Sequence, residues 1–286
     1  MISKEQFTSH LKAKTLPSLP LTVVALGEAV QDERCSVDRI LGILSKDPSL
    51  SATLLRLANS ALYAGGAVMD LRTAVLRLGF DAVANLGTGA AVIKTLRGGA
   101  HLDALKLWQH SVAVGLTAKG ICVLAKRHGQ AETAFLTGLL HDIGKIALDT
   151  CYPEAYASVM QKVAEGAYFV DAEREVLGLD HAEAGALLAA EWSFPEAIVE
   201  VIRDHHTPKA EDFLPNLIHL SDLLVRTRIP MGPADERLLF SLDELPAFKA
   251  VIAGALHKDL DVERLTFSID DEVDHALAFV EVAFQA

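Results

Sequence analysis

The stretch Gly138-Leu139-Leu140-His141-Asp142-Ile143-Gly144-Lys145 sets an imidazole beside a carboxylate inside an otherwise apolar run. Ala134, Leu140 and Ile143 flank the pair, and the spacing predicts a helix over residues 131–148 that turns both groups inward. An unpaired charge is costly in such a place, so His141 and Asp142 need partners from other elements. On a continuous helix His141 and Lys145 share a face four residues apart, and Asp142 stands one position round from it. Gly138, three residues before His141, leaves room on that face for an ion or an oxyanion. Two readings are open at this point. One is a buried His–Asp hydrogen-bonded pair with no further role; the other is part of a site that inward-facing groups elsewhere complete.

Almost every other segment also carries helical period and almost none alternates as a strand does, so the fold class is all-α. Ser3 with Gln6 fits a capping box, and Leu16-Pro17-Ser18-Leu19-Pro20 is an extended apolar connector. Ser36, Asp47-Pro48, Asp70 and Asp81 mark successive helix starts, and Gly65-Gly66 breaks the chain. Asn59 and Ser60 are small polar residues on an apolar helix, for which helix–helix hydrogen bonding is the economical reading. Arg97-Gly98-Gly99 makes a boundary, so residues 1–99 form an N-terminal helical bundle of five to seven helices and residues 100–286 a second helical subdomain. In the latter, residues 101–128 read as one long helix ended by Gly129. Further helices stop at Gly166 and start at Asp180, Pro195, Pro215, Leu245-Pro246 and Asp270-Asp271.

Composition excludes several roles. With 286 residues, 51% hydrophobic and 22% charged, the chain is globular. A net charge of −12 makes it a poor binder of phosphate backbones, so nucleic acid is not an expected partner. The cationic cluster Lys126-Arg127-His128 is read as a helix C-terminal charge preference. Cys35, Cys122 and Cys151 lack CxxC spacing, the N-terminus has no apolar signal core, and no apolar run reaches membrane-spanning length. The expectation is a soluble cytoplasmic protein with no membrane partner.

Of the eleven histidines, His110, His141, His181, His205 and His206 lie on apolar-patterned helices or at their ends, and Asp142 and Asp222 join them. Singly each has a plain explanation: a satisfied core histidine for His110, a solvent-facing helix start for His181, a favourable helix C-terminus for His205 and His206, a backbone-bonded carboxylate for Asp222. Together, imidazoles and carboxylates from separate helices of a bundle suit one or two divalent transition metals. Iron, manganese, zinc or nickel fits such a nitrogen-and-carboxylate set better than magnesium does.

The chain resembles the HDOD family, the HD-related output domains of bacterial signalling proteins. The matching pieces are residues 16–20, Asp47-Pro48 through Ala61, Ala74-Val75 to Leu78-Gly79, and Trp108-Gln109-His110-Ser111. They continue with residues 138–145, residues 178–186, Trp192, Pro195, His205-His206-Thr207-Pro208 and His219-Leu220-Ser221-Asp222. The resemblance implies an all-α fold in which residues 100–286 carry a core related to HD metal-dependent phosphohydrolases. It makes His110, His141, Asp142 and Asp222 one metal site, with His181, His205 and His206 as ligands of a second ion or contacts to phosphate. Asp142 and Lys145 are the implied catalytic residues, Lys145 steadying the anion. HD-GYP cyclic-dinucleotide phosphodiesterases follow the His-His pair with an acidic residue and Gly-Tyr-Pro, whereas Thr207-Pro208-Lys209-Ala210 stands here, so that activity is not supported. The expected function is a signalling module with a metal- or ligand-binding core, other signalling proteins as partners and a small phosphate-containing ligand. The alternatives are an active metal-dependent phosphohydrolase and a structural scaffold with an empty core.

Overall fold

The helix starts of this chain are side-chain acceptors placed just ahead of the first turn. Ser3 Oγ accepts from Gln6 N–H at 3.2 Å and Gln6 Oε1 accepts from Ser3 N–H at 2.8 Å, closing a capping box on α1 (Lys4–Lys12). α2 (Leu21–Val30) follows Pro20; Ser36 caps α3 (Val37–Leu44), Asp47 caps α4 (Pro48–Ala58), and Asp70 caps α5 (Leu71–Leu78). α6 (Phe80–Thr95) starts directly after Gly79, whose φ of 85° suits glycine, so Asp81 lies in its first turn instead of capping it. The computed structural model describes residues 1–13, 16–60, 63, 67–255 and 262–284, with the side chains of 237 and 262–267 excepted; no strand occurs among the described residues. The expected break at Gly65-Gly66 lies outside them.

α7 (Ala104–Leu124) ends earlier than the sequence suggests. Arg127 N–H bonds to Cys122 O at 2.7 Å and Lys126 N–H to Val123 O at 3.1 Å, with Lys126 at a φ of 55°. These are the paired bonds of a Schellman stop, closed here on a lysine ahead of Gly129. Then come α8 (Ala131–Leu140), α9 (Ile143–Cys151), α10 (Pro153–Ala164) and α11 (Phe169–Val176). α12 (His181–Glu191), α13 (Glu196–Asp204), α14 (Phe213–Arg226), α15 (Pro246–Gly254) and α16 (Val262–Phe284) complete the order. Asp270-Asp271, expected to start a helix, falls inside α16.

Internal contacts divide the chain into residues 17–97 with 274–286, and residues 1–16 with 98–273. The sequence reading placed a single division at 99/100. α1 sorts with the later residues because it packs on α12 and Ile2 N–H bonds to Leu177 O at 2.5 Å. In the first unit α6 is central, packed against α2, α4 and α5. Asn59 does not bridge helices: its amide donates to Leu55 O and Val68 O, both at 2.9 Å, and its carbonyl accepts from Val68 N–H at 2.7 Å, tying the end of α4 to the chain ahead of α5.

In the second unit two glycine crossings set the helices that matter. A Cβ on Gly138 would stand 2.6 Å from Gly115 Cα, so α7 and α8 pass backbone to backbone there. Gly138 therefore serves a helix crossing, and the space expected beside it for an ion is filled by α7. A Cβ on Gly144 would run into His181 O and Gly185 N, which lets α9 lie against α12. α14 packs across α7 and α8.

Candidate metal centre

The expected helix over 131–148 is interrupted at the residues it was expected to carry. α8 ends at Leu140, α9 begins at Ile143, and Asp142 at the junction has φ −103° and ψ 7°. Asp142 occupies the N-cap position of α9 without capping it, because its carboxylate is turned to other groups. Oδ2 accepts from Lys145 Nζ at 2.6 Å, and Oδ1 lies 3.1 Å from His181 Nε2. Lys145 thus pairs with Asp142 three residues back and does not extend the face of His141.

The remaining groups arrive from four more places. His110 comes from the middle of α7, His181 is the first residue of α12, His205 and His206 follow α13, and Asp222 is on α14. Asp222 Oδ1 is 3.0 Å from His110 Nε2 and 3.9 Å from His141 Nε2. Asp142 Oδ2 is 3.4 Å from His141 Nε2 and 3.9 Å from His110 Nε2. On the other side, His181 and His206 face each other Nε2 to Nε2 at 2.7 Å, and His205 stacks beside them with ring centroids 4.0 Å from His206 and 5.6 Å from His181. All seven expected side chains meet in two adjoining groups, His110–His141–Asp142 with Asp222 alongside and His181–His205–His206, with Asp142 between them. His206 is partly exposed; the other six are buried.

The ring orientations are fixed from behind. His141 Nδ1 lies 2.6 Å from Gly138 O and His205 Nδ1 2.6 Å from Ile202 O. A carbonyl only accepts, so each Nδ1 carries the proton and each neutral ring presents the Nε2 lone pair forward. Those two Nε2 atoms and His110 Nδ1 are buried without a hydrogen-bond partner, and His110 Nε2 has the Asp222 carboxylate 3.0 Å away. Orphaned buried nitrogens converging on two carboxylates fit a divalent transition metal, and the donor set is that of iron, manganese, zinc or nickel.

Behind His181 stands Glu173, a residue the sequence reading passed over. It is fully buried; Oε2 accepts from His181 Nδ1 at 2.5 Å and from His181 N–H at 2.8 Å, and Oε1 accepts from Tyr156 Oη–H at 3.0 Å. Carboxylates of this kind orient ligating imidazoles. Its neighbours Asp171, Arg174 and Glu175 make it look like part of a solvated helix face, and nothing in the sequence separates it from them.

Electrostatics sort the groups. Burial pushes His205 and His206 well below the ordinary imidazole value, with neighbouring imidazoles adding to it, and burial lowers His141 against the pull of Asp142. Burial also disfavours charge on His181, but Glu173 outweighs it with help from Asp142, raising His181 to about 9. For Asp142 and Asp222 burial favours the neutral acid and is overcome, by His141 and Lys145 in one case and by Arg226 and His110 in the other, holding both well below the carboxylate range.

This geometry defines an all-helical protein with an HD-like cluster of imidazoles and carboxylates in its core. The HDOD domain family matches residues 16–208, and the chain belongs to that family. Asp222 lies beyond the matched segment and stands on its distances alone. An HDOD domain protein of unknown function from Geobacter sulfurreducens has the same fold, with a TM-score of 0.79, 24% identity and 98% of each chain covered. A "putative phosphohydrolase" from Shewanella amazonensis SB2B is 28% identical with a TM-score of 0.75, covering 96% of this chain and 97% of that one. An uncharacterized protein from Treponema pallidum (strain Nichols) is 28% identical over 199 residues, 67% of this chain and 37% of that protein, so the chain spans little more than a third of that relative's length. None of the described helices is long and apolar enough to cross a membrane.

Proposed function

We propose that this protein is a regulatory module of bacterial signalling built on a metal-binding HD-type core, with a surface that engages other signalling proteins. The observation that carries the reading is the set of buried Nε2 atoms in the core, those of His110 and His141 beside Asp142 and Asp222 and that of His205 grouped with His181 and His206, of which His141 and His205 have no hydrogen-bond partner. His110, His141, Asp142 and Asp222 would hold one ion, and His181, His205 and His206 a second ion or a phosphate. An ion there supplies Lewis acidity toward a phosphoryl oxygen. Glu173 holds the His181 ring, Gly138 O and Ile202 O hold those of His141 and His205, and Lys145 balances the charge of Asp142. Elemental analysis of protein purified without added metals or chelators tests the reading: one to two equivalents of transition metal are expected, and none after incubation with iron, manganese, zinc and nickel would sink it.

A second reading, hydrolysis of a phosphate ester at the same centre, is favoured by a cavity of about 210 Å³ that reaches His181, His206 and Asp222, and by the name given to the Shewanella amazonensis protein. Here Asp142 and Lys145 are the proposed catalytic pair. A panel of phosphate esters turned over by wild type and not by Asp142→Ala would support it; equal turnover by both would place the activity elsewhere. Cyclic-dinucleotide cleavage of the HD-GYP type is not part of the proposal, because Thr207-Pro208 follows the His-His pair.

A further inference from the structure

Two cations line the cavity beside the candidate centre, and they are held in matching ways. Lys145 Nζ donates to Asp142 Oδ2 at 2.6 Å and lies 4.7 Å from the centroid of the Phe169 ring. Arg226 puts Nη1 3.5 Å from Asp222 Oδ2 and its guanidinium carbon 5.4 Å from the centroid of the Tyr168 ring. Each cation therefore leans on one carboxylate of the centre and over one of two consecutive aromatic rings at the start of α11. The wall between them is apolar, with Val163, Leu223, Met231 and Leu238, and Asp171 and Asp235 also reach the cavity.

Neither cation has used up its donors. Arg226 Nε donates to Asp235 Oδ1 at 2.9 Å, Nη2 donates to the same oxygen, and the 3.5 Å from Nη1 to Asp222 is too long for a hydrogen bond. A guanidinium carries five N–H groups, so both on Nη1 and one on Nη2 remain for the cavity. Asp235 is itself fixed, its Oδ2 accepting from Met231 N–H at 2.8 Å, so the guanidinium is aimed before any ligand arrives. Lys145 spends one of three N–H groups on Asp142.

Without a cation in the centre, Asp171, Asp222 and Asp235 line this space, Asp142 stands behind Lys145, and their negative charge opposes an anion. A cation held by Asp142 and Asp222 cancels that charge and competes for the two carboxylates on which Lys145 and Arg226 lean. We propose that Arg226, together with Lys145, is the anion-recognising residue of this cavity. Its ligand is a compact organic phosphate monoester, with the organic group against Val163, Leu223 and Leu238, and the anion and the metal bind with positive coupling. The proposal rests on the metal reading above and adds to it the residue, the ligand class and the coupling, which by linkage is reciprocal.

Calorimetric titration separates the two. Manganese is titrated first, with zinc, nickel and iron(II) in its place if it does not bind; failure of all four to bind wild type would overturn the metal reading and the coupling with it. Inorganic phosphate and phenyl phosphate are then titrated into manganese-loaded and chelated protein. Loaded wild type is expected to bind both, phenyl phosphate more tightly, and chelation to weaken both about tenfold or more. Arg226→Gln should still take manganese but lose about tenfold in phosphate affinity, the worth of one charge-assisted hydrogen bond, and Arg226→Lys should recover part of it. If Arg226→Gln does not fold, Arg226→Lys, which keeps the charge and loses the two-pronged fork, should still weaken phosphate binding while manganese affinity holds. Phosphate bound equally with and without manganese, or unchanged in Arg226→Gln (in Arg226→Lys where the glutamine variant does not fold), would overturn the inference while leaving the metal reading in place.

Discussion

Residues 17–97 and residues 98–273 are both built from helices, yet they bury different chemistry. Among the described residues of the first region the buried polar side chains are Thr53 and Thr88, each donating its hydroxyl to a carbonyl four residues back, at 3.0 and 2.8 Å. The rest of that core is aliphatic, with Leu26, Ile40, Leu44, Leu54 and Leu57 fully enclosed. The second region buries His110, His141, Asp142, Lys145, Glu173, His181, His205 and Asp222. Burying charged partners costs several kcal/mol per ion before their attraction is counted, and well-packed apolar groups of similar volume do as well or better. Residues 17–97 show that this chain builds a helical core without such groups. The need to fold therefore does not account for the cluster, and the proposed metal would.

The largest expected effect breaks the second region and spares the first. Glu173→Ala removes the acceptor of His181 Nδ1, His181 N–H and Tyr156 Oη–H at once, inside a fully buried pocket. Breaking a buried pair in this way costs about 3–5 kcal/mol. Leu54→Ala is the matching change in the first region, with a cost of about 2–5 kcal/mol from lost burial and a cavity. The two differ in kind: the effect of Glu173→Ala should change with metal and with pH, and that of Leu54→Ala with neither. Urea midpoints for both variants, with manganese and with chelator, check this; equal sensitivity in both would erase the contrast between the regions.

The next effect comes from metal. An ion at a hundred times its dissociation constant stabilises the fold by about 2.7 kcal/mol. Histidine ligands must be neutral to coordinate, and burial holds His141 below the ~6.5 of a free imidazole, so protons displace the ion and the increment fades only below that region. Melting temperatures with and without chelator at pH 8, 7, 6, 5 and 4 follow it, and His110→Ala and His141→Ala should abolish it at every pH. An increment already lost between pH 8 and 7, or one that persists in both variants, would put the ion elsewhere.

Chelated protein should also depend on pH, for reasons that run in two directions. His141, His205 and His206 have depressed values, so on acidification below ~6.5 the unfolded chain takes up protons that the folded one refuses. Their contribution is present above that pH and is lost as pH drops. His181, raised to about 9, acts oppositely: its contribution is complete below ~6.5 and is lost as pH climbs through 9. Stability of the chelated protein is expected to peak near neutrality, and a urea midpoint unchanged between pH 7 and 5 would contradict the buried, neutral state of the three imidazoles.

Caps and stops written in local chemistry were legible in the sequence: Ser3 with Gln6, Ser36, Asp47-Pro48, Asp70, Asp180 and Gly166 all act where they were expected to. So was the list of inward histidines, because a polar residue inside an apolar period is conspicuous. What tertiary structure decides was not. The junction at His141-Asp142 contains no glycine or proline, and there the Asp142 carboxylate is held by Lys145 on one oxygen and His181 on the other. Gly138 reads as spare room until Gly115 is found against it. Glu173 and Arg226 are charged residues among other charged residues, and only packing shows that one lies behind His181 and the other beside Asp222.

The smallest expected effect tests whether the first region is as plain as its chemistry suggests. Ser36 Oγ accepts from Arg39 N–H at 3.2 Å, at an exposed helix start with no ionisable group of the centre near it in sequence. Removing such a cap costs about 1 kcal/mol, since water recovers part of the lost bond. Ser36→Ala should therefore lower the urea midpoint slightly, equally at pH 8 and 5 and equally with manganese and chelator, and Ser36→Asp should restore it, because aspartate caps as well as serine does. If Ser36→Ala instead changed the metal increment itself, the energetics of residues 17–97 would be coupled to metal binding, and the contrast between a purely structural core and a ligand-built one would have to be given up.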